Sequence, residues 1–347
     1  MLAKAVWTKP SADSFLNCAE HYSPKSFPPQ RLTGDSGVNI FHQVLEGVTV
    51  ERLQSHIQAL EGIRHPLVTP VALERAADYI WDTLKSLDYD MLEHRFNEDG
   101  RDFRNIIATR RGTHYPEQRV IVLAHFDTVS VTPGADDNAS GVAVLLELAT
   151  ILKPFQFERS IQFIGVNLEE NARENDPFSG TRGSRALARY AREHDWAIEG
   201  VVVLESVAYA GDSVVQTAPA GMPIKVPEMG NFIAVVGNED STRLLEGFAQ
   251  VIERYRFSLP YLSFAVPGNG ELLPDTRRSD HAPFWDNGYK AILITDTTNF
   301  RSPHYHKPSD TLETLNLAFA AEVCRATGGL IIETARHNGL KWTVPIA

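Results

Sequence analysis

The sequence predicts an α/β fold with a mostly parallel central sheet and helices on both faces. Four short runs of apolar, largely β-branched residues carry this prediction: residues 120–124 (VIVLA), 161–168 (IQFIGVNL), 201–204 (VVVL) and 291–295 (AILIT). Strands of this kind are usually buried on both faces, as in parallel sheets that helices cover. Segments of helical periodicity lie between the runs, which favours βαβ connections in a doubly wound sheet.

The other elements follow from residue spacing and from end signals. Thr69 can cap a helix and Pro70 suits its first position, and apolar residues recur at helical spacing from Leu73 to Leu87. Residues 103–110 are typical of a strand. Proline and glycine interrupt residues 211–231, which we therefore interpret as a long loop. Further helices are predicted over residues 142–152, 184–193, 242–255 and 318–335.

The composition limits domain organisation and partners. We expect an arm over residues 1–35, rich in proline and serine, followed by a single domain over residues 36–347. A formal net charge of −11 argues against a nucleic-acid surface, which is normally basic. The sequence contains neither a signal-peptide core nor a run of about 18 apolar residues. We therefore expect a cytoplasmic protein without a membrane span, with export left open and the oligomeric state unknown.

Three of the four apolar runs end in side chains that can bind metal ions. The first is followed by His125 and Asp127, the second by Glu169 and Glu170, and the third by Glu205. Ligands of open α/β sheets bind beyond the carboxyl ends of the strands, so we expect these side chains to meet at one edge. Several buried carboxylates are costly unless cations balance them. A metal cluster at this edge is the simplest source of that balance.

Two loops can add ligands at the same edge. The first contains GADDNASG (residues 134–141) and leads directly into an apolar helix. We favour metal binding for Asp137. For Asp136, a helix cap and a metal ligand are equally good interpretations. The second loop follows the fourth run and contains His304 and His306, of which His306 is the better candidate ligand.

The combination of imidazoles and carboxylates without a nearby thiol suits zinc or a similar divalent ion. Two ions that share a carboxylate would lie about 3.5–4 Å apart and hold a hydroxide between them. One further carboxylate must stay off the metals to take the proton from that water. The neighbours Glu169 and Glu170 offer this division, one as ligand and one as base. Asp127 can accept the second N–H of the His125 ring and fix its tautomer.

Five motifs, in this order, resemble those of the M28 family of metallopeptidases, of the bacterial leucyl-aminopeptidase type. The resemblance covers about residues 64–335 and implies a phosphorylase/hydrolase-like fold, the zinc exopeptidase fold, with a co-catalytic site for two zinc ions. The motifs are HFD (residues 125–127), GADDNASG (134–141), NLEE (167–170), RSDH (278–281) and YHKPSDT (305–311).

The resemblance also implies a role for each residue. Glu169 would be the general base and Asp127 would lie behind the histidine of the first motif. Many members have aspartate where Glu205 stands; glutamate still binds metal, but its greater length brings the pocket beside it, and hence aminopeptidase specificity, into question. The implied ligands are His125 and Glu205 for one ion, Glu170 and His306 for the other, and Asp137 as the bridge.

The pair Asp280 and His281 is expected to order the loop that receives the substrate rather than to bind metal. The predicted function is that of an exopeptidase, specifically an aminopeptidase that hydrolyses the N-terminal residue of a peptide substrate. The open alternatives are a glutaminyl cyclase with one zinc ion, a carboxypeptidase, an M20 peptidase with an inserted lid domain, and a non-catalytic domain that retains the fold.

Overall fold

The computed structural model describes residues 45–172 and 179–336, and the predicted arm over residues 1–35 lies outside this part. The described residues form one sheet of eight strands: β1 (Asp90–Glu98), β2 (Arg101–Arg110), β3 (Tyr115–His125), β4 (Arg159–Val166), β5 (Ala197–Glu205), β6 (Ile233–Asn238), β7 (Tyr261–Val266) and β8 (Ala291–Thr295). Their α-helices are α1 (Val50–Leu60), α2 (Pro70–Ser86), α3 (Gly141–Leu152), α4 (Arg182–Glu193), α5 (Thr242–Tyr255), α6 (His281–Asp286) and α7 (Leu317–Thr334).

The strand order is β1-β2-β4-β3-β5-β8-β6-β7. The four central strands β4, β3, β5 and β8 are parallel and correspond to the four apolar runs. The predicted α/β fold with a mostly parallel centre is therefore confirmed. The margins are antiparallel, because β2 runs against β4, β1 against β2, and β6 against β8.

Alternate side chains of each central strand pack on opposite faces of the sheet. Val120 and Val122 of β3 join the larger core beneath α1, α2, α3, α5 and α7. Ile121 and Leu123 face the smaller core beneath α4 and α6. Both faces of the centre are thus covered, which explains why these strands are apolar throughout.

Strands β1, β6 and β7 were absent from the sequence prediction. Burial alternates along β1 and β7, which lie at the two edges of the sheet. Eight of the nine side chains of β1 and three of the six of β7 are partly or fully exposed, so neither strand shows the continuous apolar run that revealed the central strands. The short strand β6 begins with apolar residues but ends at Gly237-Asn238. These last two residues are typical of turns, so the sequence pattern does not indicate a strand.

The predicted helices are present with small shifts at their ends. Thr69 precedes α2 and Pro70 is its first residue, as expected. The Thr69 side chain does not cap the helix, however: its hydroxyl donates to the carbonyl of Ile63 and accepts from the amide of His65. This hydroxyl fixes the preceding turn instead. None of the described helices has both the length and the apolar character needed to cross a membrane.

Candidate active site

The carboxyl edge of the central strands collects the side chains that the sequence singled out. His125 is the last residue of β3 and Glu205 the last of β5. Glu169 and Glu170 follow β4 within four residues. The remaining two come from loops: Asp137 from the segment between β3 and α3, and His306 from the turn after β8.

Three of these side chains form a first group around the ring of His125. Its Nε2 atom lies 3.2 Å from Oδ1 of Asp137 and 3.3 Å from Oε1 of Glu205. All three residues are buried. Their nitrogen and oxygen atoms lie close enough together to hold one metal ion.

A second group lies on the other side of the same aspartate. Nε2 of His306 is 3.2 Å from Oδ2 of Asp137 and 3.2 Å from Oε2 of Glu170. These three side chains could also hold one ion. Asp137 therefore presents one carboxylate oxygen to each group, which is the geometry expected of a bridging ligand.

Asp127 connects the ends of two strands beneath the groups. Its carboxylate accepts hydrogen bonds from the backbone amides of Glu169, at 2.9 Å, and Glu170, at 3.1 Å. The carbonyl oxygen of Asp127 lies 3.2 Å from Nδ1 of His125, nearer than its carboxylate at 3.5 Å. The Asp127 carboxylate thus positions the adjacent glutamates and also lies near the imidazole, and its role in orienting that ring stays a prediction.

Two side chains outside the predicted set hold the segment that carries Asp137. Asp310 accepts from the backbone amides of Asp136, at 2.9 Å, and Asp137, at 3.2 Å. Asn138 donates to the carbonyl of Leu204, at 2.8 Å, next to the end of β5. Asp137 is therefore fixed, through its own amide and its neighbour Asn138, to two distant parts of the chain. Asp310 belongs to the YHKPSDT motif, but its sequence position gives no sign of this contact.

Asp136 points away from both groups. Its carboxylate accepts from the amide of Ala208, at 3.0 Å, and lies beside the carboxyl of Asp296. Burial and this neighbour raise the pKa of Asp136 well above its usual range. The alternative of a metal ligand at Asp136 is not realised, and its side chain does not cap α3 either. His304 also lies outside both groups.

The charges at this edge balance poorly within the described residues. Burial raises the pKa of Glu169 well above its usual range, and nearby carboxylates raise it further. Burial also raises the pKa of Glu170 and of Glu205. Burial opposes the charge on His306, but Glu170 and Asp137 outweigh it and raise its pKa to about 10. The protonated imidazoles thus supply part of the positive charge that offsets the nearby carboxylates.

Several buried atoms of the two groups make no well-directed hydrogen bond among the described residues, although atoms within each group lie as close together as 3.2 Å. They are Oδ1 of Asp137, Oε1 of Glu170 and Nε2 of His306. Buried polar atoms are normally paired, so this concentration needs an explanation. Imidazole nitrogen and carboxylate oxygen are common ligands of zinc and related ions. The side chains present therefore fit a bound divalent ion.

The family model of peptidase family M28 matches residues 105–330, which include every residue of both groups. The chain belongs to peptidase family M28. This membership makes it a metallopeptidase and a hydrolase, and the resemblance seen in the motifs is confirmed. Protein YfbL of Escherichia coli K12, an uncharacterized protein, is 32% identical over 82% of this chain and 88% of its own length.

Solved structures share the fold of this M28 peptidase. A zinc aminopeptidase from Bacillus subtilis superposes with a TM-score of 0.67 at 16% identity, covering 85% of this chain and 97% of its own. The glutaminyl cyclase of Macrostomum lignano superposes with a TM-score of 0.69 at 19% identity, covering 88% and 94%. At such identities the likeness concerns the fold, which both kinds of enzyme share.

A cavity of about 320 Å³ opens beside the two groups of the M28 peptidase. Its polar end contains Asp137, Glu169, Glu170, Glu205 and His306. Its other end is apolar and lies on one face of β6, β7 and β8, beneath the segment that follows β5. The apolar lining includes Met222, Val226, Phe232, Ala234, Val236, Leu262, Phe264 and Leu293.

The RSDH motif reaches the cavity through its first two residues. Arg278 and Ser279 line it, and the Ser279 hydroxyl donates to Oε2 of Glu205 at 2.7 Å. Asp280 and His281 are fully buried and do not line the cavity. Burial lowers the pKa of His281 to about 4, and its ring lies 2.7 Å from the carbonyl of Thr276. That these two residues order the substrate loop stays a prediction.

Proposed function

We propose that this M28 peptidase is an aminopeptidase that uses two zinc ions to hydrolyse the N-terminal residue of peptides. The observation that carries the proposal is the position of Asp137, whose two oxygens face two separate groups of candidate ligands. A carboxylate shared in this way suits a pair of ions about 3.5–4 Å apart.

His125 and Glu205 would complete the site of one ion, and Glu170 and His306 the site of the other. When bound, the ions act as Lewis acids on the scissile carbonyl and lower the pKa of water. Ser279 holds the second oxygen of Glu205 and so orients its first oxygen toward His125. The extra methylene of this glutamate is thus accommodated by a hydrogen bond within the loop before α6.

Glu169 is the proposed general base. It lines the cavity, and its carboxylate lies 3.9 Å from Nε2 of His125, farther than the candidate ligands. In this role it takes a proton from the attacking water and passes it to the leaving amine. Asp127 accepts from its backbone amide and thereby fixes the position of the base.

The cavity supports a substrate with a free amine and an apolar first side chain. The positive amine would be received between the carboxylates of Glu169 and Glu205 at the polar end. The side chain would enter the apolar end. The Tyr305 oxygen accepts from Arg278 at 3.1 Å, so the Tyr305 hydroxyl can donate its own proton to a substrate oxygen.

The names of related proteins add support, since a zinc aminopeptidase of Bacillus subtilis shares the fold. A glutaminyl cyclase would need one ion only. The presence of a complete group of candidate ligands on each side of Asp137 favours the two-ion hydrolase. Metal content and the release of a free amino acid distinguish the two activities.

The test compares a peptide that begins with leucine with its N-acetylated form, with metal analysis of the same sample. We expect two equivalents of zinc and a kcat/KM at least about 10²-fold lower for the blocked peptide, roughly 2.7 kcal/mol. Equal cleavage of both peptides would replace the aminopeptidase with a carboxypeptidase or another exopeptidase. One equivalent of metal with cyclisation of N-terminal glutamine would establish the cyclase instead.

A further inference from the structure

Arg278 gives the cavity a positive charge that the proposed hydrolysis does not use. Among the described residues that line the cavity, it is the one guanidinium or ammonium group, beside five carboxylates and the imidazole of His306. Its side chain is 40% exposed, so a bound molecule can reach it. The acidic end of the cavity alone would repel an anionic substrate, and Arg278 reverses the charge locally.

The guanidinium is held by two hydrogen bonds to neutral partners and by one solvent-exposed ion pair. Nη1 donates to the side-chain oxygen of Asn299 at 2.8 Å, and Nη2 donates to the Tyr305 oxygen at 3.1 Å. Both partners are neutral. The nearest carboxylate in the described part of the chain, Asp275, lies 3.6 Å from Nη1 and is itself 40% exposed. The two hydrogen bonds engage two of the five N–H groups that a guanidinium carries.

Tyr305 connects this charge to the candidate ligands. Its ring stacks on the ring of His306 with 3.8 Å between centroids, and Nε2 of His306 belongs to the second group. Arg278 therefore lies one aromatic ring away from the reacting centre. An extended residue spans about 3.5 Å. If the leaving group is a single amino acid, its free carboxylate would lie near Arg278. If the leaving group is a longer peptide, its carboxylate would lie beyond Arg278.

We propose that Arg278 binds the free carboxylate of the leaving residue, so that the preferred substrates are dipeptides. The planar guanidinium matches a carboxylate through paired N–H···O bonds, and such charge-assisted pairs are among the stronger hydrogen bonds in proteins. The inference rests on the proposed aminopeptidase function, because it requires the amine of the same substrate to face Glu169 and Glu205.

The experiment measures kcat/KM for leucyl-alanine and for leucyl-alanine amide with the zinc-loaded enzyme. The two substrates differ only in the carboxylate. We expect wild type to prefer the free dipeptide by about tenfold or more. Arg278→Met should bring the ratio close to one. Arg278→Lys keeps the positive charge but lacks the paired N–H groups of the guanidinium, so its ratio should lie between those of wild type and Arg278→Met. Arg277→Met is the matched control, since Arg277 binds Asp286 and does not line the cavity.

Only the ratio is compared, so a general loss of activity through Tyr305 does not affect the conclusion. A wild-type ratio near one, or an unchanged ratio in Arg278→Met, would overturn the carboxylate site while leaving the aminopeptidase in place. If wild type cleaves neither substrate but still cleaves the longer leucine peptide, this inference falls and the aminopeptidase stands; if it cleaves none of the three, the proposed function falls as well. Melting curves of each variant verify that it is folded.

Discussion

Two buried glutamates in this peptidase have opposite surroundings. Glu147, in α3, is fully buried and accepts hydrogen bonds from Arg52 at 2.7 Å and from the amide of Thr49 at 2.8 Å. Glu170, at the carboxyl edge of the sheet, is also buried, yet its Oε1 has no partner among the described residues. The chain supplies donors to the carboxylate within the helix layer and leaves the one at the sheet edge incomplete.

The difference is the one expected between a structural carboxylate and a metal ligand. Burial of an unpaired charge costs several kcal/mol, so an incomplete site is stable only with compensation. Within the described residues, positive charge at the edge comes from the imidazoles of His125 and His306 and from the buried guanidinium of Arg64. A metal ion would replace protons on these rings and satisfy the remaining oxygens. Four predictions test whether the two regions differ in this way.

The largest effect is expected for Glu169→Gln at the sheet edge. The variant keeps the shape of the side chain but cannot take a proton, so kcat should fall by about 10²–10⁴-fold. Stability should not fall, because the substitution removes one of several buried like charges. Turnover, zinc content and melting temperature are measured together. Wild-type turnover in this variant would exclude Glu169 as the base.

The second effect concerns the bridge. Zinc should stabilise wild type by about 4 kcal/mol when its free concentration is 1,000 times the dissociation constant. Asp137→Asn should lose most of this gain, because one carboxylate serves both groups. Unfolding is followed by denaturant titration with zinc and after chelation. Two full equivalents of zinc in the variant would contradict the bridging role of Asp137.

The third prediction concerns the structural carboxylate, where we expect a loss of stability without a loss of activity. Glu147→Gln loses the charge that pairs with Arg52 and should cost about 1–3 kcal/mol of unfolding free energy. The loss should be the same with zinc and after chelation, and kcat should stay near that of wild type. A zinc-dependent loss would mean that the two regions are coupled and that the comparison fails.

The smallest effect involves a neutral imidazole that belongs to neither group of candidate ligands. Burial lowers the pKa of His94 from 6.5 to about 4, whereas carboxylates raise that of His306 to about 10. The unfolded chain binds a proton at His94 below pH 6.5 and the folded chain does not. Stability from this group is therefore complete above pH 6.5 and declines toward pH 4, by less than about 1.4 kcal/mol per pH unit.

The variant His94→Gln should flatten this part of the stability curve relative to wild type. Denaturant midpoints at half-unit steps of pH between 4 and 7 measure the difference, with chelator present so that metal release does not contribute. Parallel curves for the two proteins would show that His94 titrates normally in the folded state.

The sequence predicted the parts of the site that depend on residues close together in the chain. An apolar run that ends in histidine or acid reveals a strand and its last residue together, as for His125 and Glu205. Contacts between distant segments leave no such mark. Asp310 binds the amide of Asp137 across 173 positions, and nothing near Asp310 indicates that contact. The cavity could not be predicted from the sequence either, because its apolar wall belongs to β6 and β7, which the sequence pattern did not reveal.

Those two strands separate recognition from chemistry. Ala234, Leu262 and Phe264 line the apolar end of the cavity, while the candidate ligands follow β3, β4 and β5 or come from loops. β6 pairs with β8 through backbone hydrogen bonds, which are indifferent to the side chains on the cavity face. In the proposed aminopeptidase, these side chains could therefore be exchanged one at a time to change the preference for the first residue. The candidate ligands and the base would stay the same.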